Sequence, residues 1–129
     1  VIDQAFDRAF VAICGNYSEK KAEKYSELAK QIKGIVQENY HDSSLNSQRI
    51  ADMIQMNNAY LGRMFKNSYG RSINDYINTC RLEESMRLLR QTDMSVEEIA
   101  QNVGFSNIKY FYVLFKKLTG ITPATYRAG

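Results

Sequence analysis

From Leu45 onward the chain repeats itself, and a repeat with a single inserted residue restricts the fold more than any other feature of the sequence. The segment LNSQRIADMIQMNNAYLGRMFKNSYGRSINDYI can be laid on MSVEEIAQNVGFSNIKYFYVLFKKLTGITPATYR. At an offset of 49, Leu45 meets Met94, Ile50 meets Ile99, Ala51 meets Ala100 and Ile54 meets Val103. One extra residue in the second turn moves the offset to 50. Leu61 then meets Phe111, Met64 meets Leu114, Phe65 meets Phe115, Lys66 meets Lys116, Gly70 meets Gly120 and Tyr76 meets Tyr126. A solenoid needs three or more copies. Two copies of a small helical module are the better account.

Each copy has the same internal order. A first helix starts after a cap, and Ser95 with Glu98 fits the S-x-x-E capping box. It ends at a tight turn, Gln55-Met56-Asn57 in one copy and Gly104-Phe105-Ser106 in the other. Gly104 suits a left-handed position, whereas Gln55 would be strained there unless that turn differs. A second helix follows, capped by Asn57 in the first copy and by Ser106 or Asn107 in the second. Small Ala51 and Ala100 sit where two helices must approach closely, which gives the shape of a helix-turn-helix. Between the copies, Ser72 caps the stretch INDYINTCRLEESMRLLRQ, whose apolar positions are Ile73, Tyr76, Ile77, Cys80, Leu82, Leu88 and Leu89. Its roughly 18 residues span about 27 Å. Arg81 and Arg87 on it are expected to pair with Glu83, Glu84 or Asp75 at helical spacing. Pro123 suits the start of a last short helix, and Tyr76 and Tyr126 read as core.

Upstream of the repeat, Ile2, Ala5, Phe6, Ala9, Phe10 and Ile13 form an apolar stripe at helical spacing, and Gly15-Asn16 reads as its stop. Ser18 caps a second helix to Tyr40, with Ala22, Tyr25, Ala29, Ile32, Val36 and Tyr40 along one side and Lys20, Lys21 and Lys24 on a solvated face. The chain opens on Val1 inside a periodic pattern, so residues 1–30 are expected to be a helical arm or linker that packed on, or continued from, something upstream. The expected fold is all-α: two helix-turn-helix subdomains, homeodomain-like three-helix units, joined by a long linking helix and preceded by the N-terminal helical arm. The first helix-turn-helix covers about residues 45–70, the linking helix about 73–90 and the second about 94–120.

Composition removes most other function classes. At 129 residues the chain is domain-sized, and 44% hydrophobic with 24% charged residues is ordinary globular composition. No apolar run approaches the ~20 residues of a membrane span, so no membrane contact is expected within it, and a cytoplasmic location fits. Cys14 and Cys80 lie far apart without a CxxC motif, both expected buried, and His41 is the one histidine. A zinc finger, a His-ligated metal site or a Ser-His-Asp triad is hard to build from that set, so no metal, no cofactor and no enzyme is expected. The net charge of +3 is unevenly divided: residues 1–44 carry six Lys/Arg against seven Asp/Glu, residues 45–129 eleven against seven. The positive excess belongs to the repeated part and permits a nucleic-acid partner.

The runs RIADMIQMNNAYLGRMFKNSYG, DYINTCRLEESMRLL and EEIAQNVGFSNIKYFYVLFKKLTGITPATYR resemble the DNA-binding domain of the AraC/XylS family of bacterial transcription regulators. The resemblance covers about residues 31–129 and includes both helix-turn-helix units. It implies an all-helical domain that binds promoter DNA with two major-groove readers and recruits or positions RNA polymerase. It also implies an upstream sensory region, absent from this chain. The Phe/Ile stripe of the N-terminal arm offers a dimer or sensor contact.

Periodicity separates the faces of the two second helices. In copy one, Leu61, Met64, Phe65 and Ser68 point inward, while Ala59, Gly62, Arg63 and Lys66 share the opposite face. In copy two the outward set is Lys109, Tyr112, Val113 and Lys116, with Phe111, Leu114, Phe115 and Leu118 inward. Major-groove segments one turn apart are ~34 Å apart, so a single chain is expected to read two successive grooves. Arg63 is the first candidate for base readout, since a guanidinium pairs bidentately with guanine O6 and N7. Ala59 and Gly62 match other base-facing positions of the family, and Asn58 stands at the helix start. Many relatives have an arginine aligned with Arg63, where copy two has Val113. Ile108, Lys109, Tyr112 and Val113 are its candidates, poorer in hydrogen-bonding heads, and apolar contact with thymine methyls is open to them. Copy two is therefore expected to supply affinity and register more than stringent choice. Candidates for phosphate contact are Ser47, Lys66, Asn67, Arg71, Ser95, Lys116, Lys117 and Thr119, each with an alternative reading as ordinary surface. The rival function is a helical protein-interaction module that turns the same faces to RNA polymerase or a sensor domain.

Overall fold

Asparagine, serine and threonine begin the helices of this chain because their side chains bind the amides that a helix start leaves unpaired. A computed structural model describes residues 19–129, with side chains from Tyr25 onward. The helices are α1 (Glu19–Asn39), α2 (Ser47–Met53), α3 (Asn58–Tyr69), α4 (Ile73–Gln91), α5 (Val96–Asn102), α6 (Ile108–Thr119) and α7 (Pro123–Ala128). The described residues contain no strand. Asn46, Asn57, Ser95, Asn107 and Thr122 each accept a hydrogen bond from the amide three residues on, and the Ser72 hydroxyl accepts one from the Asp75 amide at 3.1 Å. Asn107, rather than Ser106, caps α6, which identifies Ser106 as the inserted residue of the repeat. The expected stripe over Ile2–Ile13, the Gly15-Asn16 stop, the Ser18 cap, Cys14 and the side chains of Lys20, Lys21 and Lys24 lie outside the described residues.

The described chain divides into two units. The first comprises α1 up to Gln37 together with residues 45–76. Its core is made of Ala29, Ile32 and Val36 from α1, Leu45, Ile50 and Ala51 around α2, and Leu61, Met64 and Phe65 from α3. Ring contacts of 5.3 Å between Phe65 and Tyr69 and 5.2 Å between Tyr69 and Tyr76 close one end, with the Lys33 ammonium 4.1 Å from the Tyr69 ring centre. A buried ammonium over an aromatic face retains part of the stabilisation that water would give it.

The second unit comprises residues 38–44 and 77–129. Leu82, Leu89, Ile99, Ala100, Val103, Phe105, Phe111 and Phe115 form its buried cluster. The last helix, α7, is tied back by Tyr126, 5.7 Å from Phe115, and by the Arg127 guanidinium, which donates to the carbonyls of Leu89 at 3.0 Å and Thr92 at 3.2 Å.

Gln55 adopts the left-handed conformation, at φ 57°, in the same place where Gly104 has φ 110°, so the two turns do not differ and Gln55 carries the strain that glycine avoids. Three expectations need correction. Arg81 does not pair with a carboxylate of its own helix: it is buried, and its guanidinium donates to the carbonyls of Tyr40 at 2.8 Å and Asp42 at 2.9 Å. Burial depresses its pKa, opposed by the Asp42 carboxylate. Arg87, by contrast, makes the expected bidentate pair with Glu84. Leu118 is 55% exposed rather than buried and Leu114 is half-buried, because α7 packs back onto Phe115 and leaves the final turn of α6 uncovered. Cys80 is half-buried, on the flank of α4 between buried Ile77 and Arg81.

Candidate nucleic-acid interface

The turn ahead of each second helix sets where that helix can point. In the first unit the Met56 amide donates to the Ala51 carbonyl at 2.9 Å and the Gln55 amide to Asp52 at 3.3 Å. In the second unit Phe105 donates to Ala100 at 2.9 Å and Gly104 to Gln101 at 3.1 Å. These are the paired 6→1 and 5→2 bonds of a Schellman end, which requires a left-handed residue at its centre. Ala51 and Ala100 are fully buried at the turn, where a larger side chain would separate the helices.

Beyond the turn, α3 presents two faces. Leu61, Met64, Phe65 and Ser68 are buried, while Ala59, Arg63 and Lys66 are exposed and Gly62 lies half-buried beside them. A side chain built on Gly62 would meet nothing within 4 Å. Packing therefore does not account for this glycine, which costs a helix interior about 1 kcal/mol relative to alanine. The side chains of Arg63 and Lys66 have no hydrogen bond or ion pair among the described residues. Two unpaired cations on one stripe favour an anionic partner. Asn58, at the first position of α3, is half-buried, and Asn67 and Arg71 are exposed near its far end.

On α6, Lys109, Val113 and Lys116 occupy the positions that Ala59, Arg63 and Lys66 hold on α3. All three are exposed, Val113 at 66%, and the lysines are unpaired among the described residues. The other residues expected on this face are engaged elsewhere. Tyr112 is half-buried, and its hydroxyl donates to Glu97 Oε1 at 3.4 Å. Burial raises its pKa, with the Glu97 carboxylate adding to the rise. Ile108 packs against the core of the second unit. Tyr110, not among the expected residues, is 46% exposed in the first turn of α6, and its hydroxyl accepts a hydrogen bond from Asn78 Nδ2 at 3.1 Å. Its match with Tyr60 at the repeat offset of 50 was the signal for it.

Among the expected phosphate contacts, Lys116 and Lys117 are exposed in the last turn of α6. Thr119 is already bonded: its hydroxyl lies 2.7 Å from the Phe115 carbonyl and 3.0 Å from that of Ile121, so its single proton is used within the chain. The Ser47 amide donates to Asn74 Oδ1 at 3.3 Å, and Ser95 Oγ accepts from the Glu98 amide at 3.1 Å. No cluster of three potential metal ligands occurs among the described residues, and no described helix is long and apolar enough to cross a membrane.

Residues 50–129 match the family model described as a helix-turn-helix domain. The transcriptional regulatory protein YesN of Bacillus subtilis is 45% identical over 78 residues, which cover 59% of this chain and 21% of YesN. The chain spans 13–37% of the length of the first curated relatives it matches. Among solved structures, the C-terminal domain of the two-component response regulator yesN from Fusobacterium nucleatum superposes with a TM-score of 0.73 at 36% identity, covering 76% of this chain and 95% of that one. The DNA-binding domain of AdpA, solved in complex with a target DNA, gives 0.72 at 26% identity, covering 78% and 89%. The chain belongs to the AraC/XylS family of helix-turn-helix transcription regulators and is a sequence-specific DNA-binding part of such a regulator.

Proposed function

We propose that α3 and α6 enter successive major grooves of one promoter site, with Arg63 as the principal reader of sequence. The observation that carries this reading is the exposed, unpaired Arg63 at the middle of the outward face of α3, beside Gly62 with open space above it. A guanidinium there reaches guanine O6 and N7, worth ~1–3 kcal/mol of discrimination. Ala59 and Gly62 let the helix backbone lie close to the base edges, and Asn58 stands at its entry. Lys66, Asn67 and Arg71 on one unit and Lys116 and Lys117 on the other contact phosphates, with Ser47 and Ser95 at the starts of α2 and α5. Thr119 drops out, since its hydroxyl is committed to backbone carbonyls. Of the copy-two candidates, Lys109 and Val113 remain for base edges, while Tyr112 and Ile108 support them from behind.

The wider reading extends to the partners of such a regulator. RNA polymerase is the protein partner, residues 1–30 are a helical arm or linker from an upstream sensory region that controls the regulator, and this arm offers a dimer contact. The site of action is the cytoplasm, where promoter DNA lies. Selection of bound duplexes from a random pool, followed by titration in a gel-shift assay, tests the function. The chain is expected to enrich a site with a guanine under α3, bound with steep salt dependence of ~0.9 ions per phosphate neutralised. Arg63→Ala should bind that site about 5- to 150-fold more weakly, the equivalent of the ~1–3 kcal/mol above. No enriched sequence, and unchanged mobility with Arg63→Ala, would instead favour a protein-interaction module.

A further inference from the structure

Val113 stands where Arg63 stands in the other copy, and its chemistry is opposite. Valine is 66% exposed here, more than any other large hydrophobic residue of the described chain. It lies one helical turn from Lys109 and nearly one from Lys116, both exposed and unpaired among the described residues. Val113 and the exposed Tyr110 one turn before it, flanked by two cations, do not form a patch broad enough to dock a protein core. The lysines give the stripe the charge of a surface that meets phosphates. The Tyr112 hydroxyl spends its proton on Glu97, while the Tyr110 hydroxyl accepts from Asn78 and keeps its own proton. At Val113 itself the stripe offers an isopropyl group, which neither donates nor accepts a hydrogen bond, with the donors Lys109 and Tyr110 one turn before it.

In the major groove every base presents hydrogen-bonding atoms, and thymine alone adds an apolar one, the C5 methyl. An isopropyl group over cytosine N4 or adenine N6 strips water from a donor without replacing it. Over a thymine methyl it removes apolar surface from water on both sides. We propose that Val113 selects thymine through its 5-methyl group. The operator of this chain is then chemically asymmetric, with guanine read by hydrogen bonds under α3 and thymine read by methyl contact under α6. This inference rests on α6 entering a major groove.

The test uses the chain with its selected operator, each thymine under α6 replaced in turn by deoxyuridine, which removes only the methyl group. Affinity is followed by fluorescence anisotropy and groove occupancy by hydroxyl-radical footprinting. For the wild type, one or two replacements should each weaken binding about fourfold, as burying one methyl group predicts. Replacing a cytosine by 5-methylcytosine at the same place should recover binding relative to cytosine. In Val113→Ser, with melting unchanged because the site is exposed, deoxyuridine should make no difference. A full footprint under α6 with no effect of deoxyuridine at any position would overturn the inference and leave the groove reading intact. Absence of protection under α6 would overturn both.

Discussion

At the end of α2 and at the end of α5 the same two backbone bonds close the same turn, but only one of the two turns has room for a side chain. Gln55 stands exposed in its left-handed position. A Cβ on Gly104 would overlap the Tyr40 carbonyl oxygen and stand 2.7 Å from Arg81 Nε. That carbonyl is held in place by Arg81 itself, which also grips the Asp42 carbonyl and lies over the Phe105 ring at 5.7 Å. The Tyr40 carbonyl and Arg81 thus confine the turn that precedes α6. The same pair of copies diverges again on the outward faces, where Arg63 corresponds to Val113. Backbone bonding fixed by the module is common to both copies, while the neighbours of the turn and the groups on the outward face differ between them.

The largest expected effect comes from the turn. Gly104→Ala should lower stability by about 3 kcal/mol or more, from left-handed strain plus the clash with a backbone carbonyl. Gln55→Ala should stay within about 0.5 kcal/mol, because the strain is already present and the site is open. Chemical denaturation of both variants measures the contrast, and equal losses would show that the two turns are not differently confined.

Exchange of the outward residues should move specificity by an intermediate amount. Val113→Arg is expected to fold as the parent does and to create a preference for guanine under α6 of ~1–3 kcal/mol. Competition binding with duplexes altered at that position reads it, and indifference to guanine would mean that α6 lies too far from the base edges for the arginine to reach. Gly62→Ala separates stability from binding. The helix should gain about 1 kcal/mol, while affinity for the operator should fall several-fold if the backbone there approaches DNA closely. Gain of both would remove Gly62 from the interface. Smallest of all, Gln55→Gly should raise stability by about 0.5 kcal/mol. Relief of left-handed strain, ~1–2 kcal/mol, is partly offset by the greater freedom that glycine gives the unfolded chain, ~0.4–1 kcal/mol.

Much of this arrangement was legible in the residues. The offset of 49 turning to 50 located both modules, and the inward set Leu61, Met64, Phe65 and Ser68 follows from helical period alone. The Asn57 cap was equally plain, because an asparagine ahead of a helix has a specific local partner, here the Tyr60 amide at 3.0 Å. Local spacing failed where the partner lies far along the chain. Arg81 had acidic residues within reach on its own helix, yet its partners are carbonyls 41 and 39 residues away, and carbonyls carry no side-chain signature. Leu118 continued the apolar period of α6, but what covers the last turn of a helix is decided by the next element. Here α7 turns back to Phe115. Tyr112 fell on the outward stripe by period, and its link to Glu97 on α5 depends on how the two helices cross.

The central claim is that two copies of one module read DNA unequally, through Arg63 in one and Val113 in the other. Binding energies for every single-base-pair change across the selected operator, measured for the wild type and for Arg63→Ala, test it most directly. The account predicts the largest penalty, ~1–3 kcal/mol, at one guanine under α3. Arg63→Ala should erase that penalty and leave the smaller penalties under α6 unchanged. Equal penalties under both helices, or a uniform loss of affinity in Arg63→Ala with every base preference retained, would contradict it.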